Sequence, residues 1–158
     1  MKPTIGLSDA SRKAVASMLN SVLSDEMVLL VKTRGFHWNV TGPHFSELHD
    51  LFQAQYEALA VSVDDVAERA RALGAFSHGS MGAFLKNATL KEAAAVPPKA
   101  GAMLKALLAD HEALVRTLRK AVDDCQDRYG DAGTADFLTG LMEAHEKTAW
   151  MLRSYLEP

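Results

Sequence analysis

The chain has 158 residues, 48 % of them apolar and 23 % charged, with a formal net charge of −3. That length predicts one domain, residues 1–158, with a core of its own; the composition excludes disordered and fibrous classes, and the sign of the charge argues against a constitutive polyanion binder. The absence of an apolar run of about 18 residues, the opening MKPTIGLSDASRK without an apolar signal core, and a single cysteine, Cys125, all read as a cytoplasmic protein with no membrane segment and no internal disulfide.

Taken in order, the elements are helical and no strand-like alternation competes. Ser8 or Asp9 caps a first helix whose apolar spacing runs through Val15, Met18, Leu19, Val22, Leu23, Met27, Leu30 and Val31 and reaches His37. Thr41-Gly42-Pro43 forces a turn, because glycine permits unusual backbone angles and proline removes a donor. A second helix follows, with the stripe Phe45, Leu48, Phe52, Tyr56, Leu59, Val63, Val66, Ala70 and Leu73, and Gly74 is placed to end it. The segment from Ala75 to Pro98 is broken by Gly79, Gly82 and Pro97-Pro98, and holds a short helix near Met81 to Leu85. Two more helices, Ala100 to Tyr129 and Thr134 to Leu156, flank the loop Gly130-Asp131-Ala132-Gly133. Cys125 reads as a small, partly buried apolar residue.

His37, His49, Asp64 and Glu68 are the one set whose types suit an iron ion. On a continuous helix the fifteen residues from His49 to Asp64 span roughly 22 Å, at about 1.5 Å each. Ligands of one ion must lie within a small cluster, so a single chain cannot bring the four together. A second copy packed antiparallel closes the gap, setting its own Asp64 and Glu68 opposite His37 and His49 and making two identical sites by symmetry. At about 100° per residue, Asp64 and Glu68 sit roughly 60° and 100° around the helix from His49, beside the core stripe and free to point at a neighbour. Leu51, Ala54, Ala58 and Val61 form a second, weaker apolar strip beyond that side, which a partner surface would bury. Taken singly, Asp64 and Glu68 would be a solvated helix face, with Glu68 aiding Arg71 or Asp65 pairing with Arg69.

The expected fold is all-α: a four-helix bundle with a long crossover, carrying a short extra helix, between helices 2 and 3, the layout of ferritin-like proteins. No glutamate has a histidine three residues later, so a di-iron centre of Glu-x-x-His pairs inside the bundle is not expected. His44, His78, His111 and His145 show no ligand spacing and are assigned no function.

The string Phe36-His37-Trp38-Asn39-Val40-Thr41-Gly42-Pro43-His44-Phe45, then His49, then Asp64-Asp65-Val66-Ala67-Glu68-Arg69, resembles the signature of the Dps family, the mini-ferritins of bacteria and archaea. The likeness extends to Leu73-Gly74, Thr134-Ala135-Asp136 and Trp150. It implies a ferroxidase: a homo-oligomeric dodecamer built from two-fold dimers that binds iron at dimer interfaces, oxidises Fe(II) to Fe(III), preferentially with hydrogen peroxide, and stores the product in a hollow shell. The iron ligands would be His37 and His49 of one subunit with Asp64 and Glu68 of its two-fold mate. Where the family often carries a carboxylate, this chain has Gln53, which weakens one of two metal positions. Trp38 anchors packing and, beside His37, could donate an electron to the oxidised site. The resemblance also places a three-fold iron-entry pore at the start of the last helix, with Asp136, Asp131 and Asp127 as its acidic lining.

DNA binding, which the family name carries, is disfavoured by this sequence. Strong binders have a mobile basic tail, whereas the N-terminus offers only Lys2, Arg12 and Lys13, the C-terminus closes at Glu157-Pro158, and phosphate would repel a shell of negative chains. The competing expectation is a nucleoid-associated, DNA-protecting structural assembly with weak iron turnover, and Gln53 is its best support.

Overall fold

The computed structural model describes residues 3–157, so Lys2 and Pro158, weighed above, lie outside the described residues. Among those residues there are five α-helices and no strand: α1 (Asp9–Asn39), α2 (Phe45–Ala72), α3 (Met81–Asn87), α4 (Ala100–Asp123) and α5 (Ala132–Ser154). The helix ends follow from local chemistry. Ser8 caps α1 by accepting from the Ser11 backbone N–H at 3.0 Å. Gly42, at φ +117°, turns the chain from α1 into α2. At the far end of α2 the Ala75 N–H reaches Ala70 O at 3.2 Å and the Gly74 N–H reaches Arg71 O at 2.9 Å, a Schellman closure that needs the positive φ of Gly74, here +86°.

The α1–α2 and α4–α5 pairs form two antiparallel hairpins, and the segment between them carries α3 across the side of α1. Two side chains of α1 fasten that crossover. Asn20 donates to Phe76 O at 3.0 Å and accepts from the His78 N–H at 2.8 Å, and the buried Asp25 carboxylate accepts from the backbone N–H groups of Thr89 and Leu90 and from the Thr89 hydroxyl. The helix also has a stretch of 18 residues apolar enough to cross a membrane by length and composition, yet its Leu19, Leu23 and Leu29 are enclosed by the other helices.

The core falls into two apolar clusters. One gathers Leu19, Leu23, Val66, Leu118 and Leu138, the other Leu29, Phe52, Leu59, Leu107 and Leu152. Each enclosed leucine contributes about 1.5–3 kcal/mol of transfer free energy. Between the clusters lies a buried polar layer of Glu26, His111 and His145.

Three expectations need correction. The buried face of α1 beyond Leu23 is Glu26, Val28, Leu29 and Thr33, not the Met27–Leu30–Val31 continuation; Val31 is exposed, because a 3.6-residue period carries the stripe on past it. The fourth helix does not run as α-helix to Tyr129: it passes at Asp124 into a π-helical turn, Asp124–Arg128, closed by Tyr129 N–H to Asp124 O at 3.1 Å. Ala132 and Gly133 belong to α5 and not to a loop, since Asp131 caps that helix through the Thr134 N–H.

Candidate metal centre

His37 comes from the last turn of α1 and His49 from the second turn of α2, brought together by the short Gly42 turn. Their rings stack with centroids 3.8 Å apart. Each ring is held by the other residue's backbone: His37 Nδ1 lies 2.8 Å from His49 O, and His49 Nδ1 lies 3.0 Å from His37 O. A carbonyl oxygen only accepts, so both Nδ1 atoms carry a proton, and in the neutral form of each ring the lone pair is on Nε2. Neither Nε2 has a partner among the described residues, and neither is sealed from solvent. A metal ion requires that tautomer and that fixed orientation, normally supplied by a hydrogen bond at the far nitrogen. Tyr56 packs edge-on against His37, at 5.2 Å between centroids, and Arg34 stacks over the same tyrosine at 4.7 Å.

Asp64 and Glu68 stand one turn apart on α2, both exposed, and neither forms an ion pair or hydrogen bond among the described residues. Because α2 runs unbroken from Phe45 to Ala72, Asp64 lies roughly 22 Å and Glu68 roughly 28 Å along it from His49. Among the described residues no three His, Cys, Asp or Glu side chains converge on a metal position. The chain thus presents a preset imidazole pair and an unpaired carboxylate pair on one flank, far apart. Val61 lies between them, 62 % exposed.

Other expected site residues take definite places. Gln53 donates to Glu57 at 2.8 Å along α2. Trp38 does not anchor packing within the chain: it is 69 % exposed and borders an apolar groove of about 230 Å³ with Val31, Met81 and Leu85. Arg69 does not pair with Asp65 but reaches across to α5, donating to Asp131 at 3.1 Å and to Thr134 Oγ1 at 2.9 Å. Asp131 is buried, its carboxylate taken up by Arg69, the Thr134 N–H and the Thr134 hydroxyl, which is the work of a helix cap. Asp127 and Asp136 are exposed. Cys125 is wholly and not partly buried, and burial, with Asp131 and Asp124 nearby, pushes its thiol up to about 11, so it is an unreactive thiol at neutral pH.

Sequence reasoning passed over the polar layer. His111 and His145, assigned no function, face each other with Nδ1 atoms 2.8 Å apart, and His145 Nε2 lies 2.6 Å from Glu26 Oε1. A signal was available in α4, where His111 stands on a buried stripe otherwise made of Met103, Leu104, Leu107, Leu114, Leu118 and Ala121.

A bundle of two helical hairpins with a crossover after the second helix defines a ferritin-like protein, and the family model for the ferritin-like domain matches residues 16–158. The chain is 52 % identical over 153 residues to a low temperature-induced protein of Nostoc sp., covering 97 % of this chain and 86 % of that one. It is 36 % identical over 144 residues to DNA protection during starvation protein 2 of Bacillus anthracis, covering 91 % and 97 %. The crystal structure of Dps from Vibrio cholerae, a ferritin-like diiron-carboxylate protein, superimposes with a TM-score of 0.93 at 30 % identity, covering 99 % of this chain and 97 % of that one. The chain belongs to the Dps family of ferritin-like proteins.

Proposed function

We propose that this protein is a cytoplasmic mini-ferritin: a hollow dodecamer that takes up Fe(II), oxidises it at centres shared between two-fold-related subunits, and stores the ferric product. The observation that carries this reading is the reciprocal backbone lock on His37 and His49, which fixes two Nε2 donors on the flank that also carries the unpaired Asp64 and Glu68. Side chains with no use inside their own chain are accounted for if a second copy completes each set. Ferrous iron is the substrate. The imidazoles hold it as borderline donors, while the carboxylates of the partner favour the more highly charged ferric product, so the ligand set itself biases the oxidation. Two ferrous ions give one electron each to one hydrogen peroxide, which takes up two protons and leaves as two waters, without releasing hydroxyl radical.

The test is anaerobic loading with Fe(II) followed by a stoichiometric peroxide pulse, watched by ferric absorbance. Two irons oxidised per peroxide supports the proposal; no ferric signal above that of buffer contradicts it. Exposed Asp136 and Asp127 remain the candidates for an acidic entry pore, with Asp131 behind them as a cap. Asp136→Asn should slow iron entry and leave the interface centre intact, and an unchanged initial rate would remove the pore assignment.

The alternative of a DNA-protecting shell with weak iron turnover draws on Gln53 and on the names of the relatives. The structure supplies little for it: Arg12, one of the few basic residues near the N-terminus, is committed to Leu73 O at 2.9 Å and to Asp9 at 2.6 Å. A salt-dependent gel shift at neutral pH would favour that reading.

A further inference from the structure

A column of side-chain rings, closed by a cation, runs through the metal centre. Phe45 lies against His49 with ring centroids 5.2 Å apart, and His49 stacks on His37 at 3.8 Å. Tyr56 then meets His37 edge-on at 5.2 Å, and the Arg34 guanidinium covers the Tyr56 ring at 4.7 Å. Within this column the phenol is the one ring that gives up an electron readily. The sequence holds three tyrosines, and among the described residues only Tyr56 makes a ring contact with His37 or His49. Trp38, the other oxidisable ring nearby in sequence, is turned away: about 100° around α1 from His37, it is exposed on the apolar groove and touches neither imidazole ring.

An oxidisable side chain at that position answers a need the ligand set creates. Hydrogen peroxide takes two electrons, whereas one ferrous ion supplies one. The four protein ligands of the centre suffice for one ion and leave a second short of donors. Gln53, one turn beyond His49, adds only a neutral amide tied to Glu57 at 2.8 Å. A centre caught with a single Fe(II) would release the half-reduced oxidant as hydroxyl radical, unless a neighbouring group completes the reduction.

We propose that Tyr56 is that group: an electron reserve that acts through the His37 ring when one Fe(II) is bound and is refilled by the next. The inference rests on the iron-oxidising function given above. Fe(II) gives one electron and becomes Fe(III), while the Tyr56 phenol gives one electron and its hydroxyl proton and becomes a neutral phenoxyl radical. The O–O bond of the peroxide breaks, and its two oxygens take both electrons, the phenol proton and one solvent proton, leaving as two waters. A second Fe(II) then passes an electron to the phenoxyl, which takes a proton from solvent to become tyrosine again; the ring is half-buried, so water reaches it. Two irons are still oxidised per peroxide. Arg34 sets the direction of this traffic. A cation over the ring face makes an electron harder to remove and easier to return, so the ring yields to half-reduced peroxide and is promptly refilled by Fe(II).

The test loads assembled shells anaerobically with one Fe(II) per centre, adds one equivalent of peroxide, and reads freeze-quenched samples by electron paramagnetic resonance. A phenoxyl signal is expected beside the ferric one, narrowed in protein grown on ring-deuterated tyrosine and discharged by a second equivalent of Fe(II). Tyr56→Phe keeps a ring against His37, yet it should lose the signal and release hydroxyl radical to a spin trap. Trp38→Phe should retain the signal, and Arg34→Gln should slow its discharge by Fe(II). Ferric iron formed without a tyrosine radical, or a radical that survives Tyr56→Phe, would overturn the proposal and leave the iron-oxidising function standing. No ferric iron at all would overturn both.

Discussion

If each oxidation centre takes its histidines from one subunit and its carboxylates from the mate, two chains that are each inactive should restore one another. One carries His37→Ala and His49→Ala, the other Asp64→Ala and Glu68→Ala. Alone, each forms only centres lacking half their ligands; since disturbing an outer partner of a metal ligand already costs 10–100-fold, each should lose more than about 100-fold in initial rate. Mixed one to one with random pairing, about half of the two-fold dimers are hybrids. In a hybrid, one centre receives the intact histidines of one chain and the intact carboxylates of the other, and the second centre receives neither. About a quarter of all centres are therefore complete, and the mixed shell should run at about a quarter of the unaltered rate. The assay is co-expression with two affinity tags, isolation of shells bearing both, and stopped-flow ferric absorbance after a peroxide pulse, with assembly checked by size-exclusion chromatography. Recovery no better than either parent would refute a shared centre, because a centre built within one chain gains nothing from mixing.

Asp131→Ala removes the cap on the Thr134 N–H, the bond to the Thr134 hydroxyl and the ion pair with Arg69, so it should cost about 3 kcal/mol, whereas Asp131→Asn keeps the cap and should cost about 1 kcal/mol. At about 2–4 °C per kcal/mol for a chain of this size, calorimetry at fixed protein concentration resolves the two, and equal losses would contradict the capping role. Gln53→Glu should tighten the weaker of two iron positions at a cost of about 0.3 kcal/mol from like charge against Glu57; an unchanged anaerobic Fe(II) isotherm would count against it. His111 bears on acid stability. Its folded value, about 3, lies below the ordinary 6.5, so the unfolded chain binds more protons between these limits and stability falls as pH falls. The full loss is about 5 kcal/mol per chain, of which about 2 kcal/mol has gone by pH 5. Urea midpoints at pH 7 and pH 5 should show that loss, and His111→Gln should flatten it.

Most of the architecture was legible because punctuation in this sequence is sparse and chemically strict. Thr41-Gly42-Pro43 and Gly74 end helices for steric reasons that tertiary context does not override, and the short helix at Met81 was read within two residues at its end. The π-helical turn was not legible, since nothing in Asp124–Arg128 distinguishes five-residue from four-residue bonding before α5 is packed. At the site, residue types and spacing gave the four ligand candidates. The lock between His37 and His49 was out of reach, because each ring bonds a backbone carbonyl whose position depends on the turn between two helices. The polar layer was missed for a different reason. Its histidines were searched for as a sequence spacing, whereas Glu26, His111 and His145 meet only across three helices.

The crossover is stitched to α1 at two points, by Asn20 and by Asp25, before any second subunit arrives. The ledge it forms with Trp38, Met81 and Leu85 is therefore set during folding of the lone chain. If the proposed shell seats a second protomer on that ledge, it would meet a prepared surface with little chain entropy left to remove, and assembly should then proceed in a single concentration-dependent phase with no slow ordering step behind it.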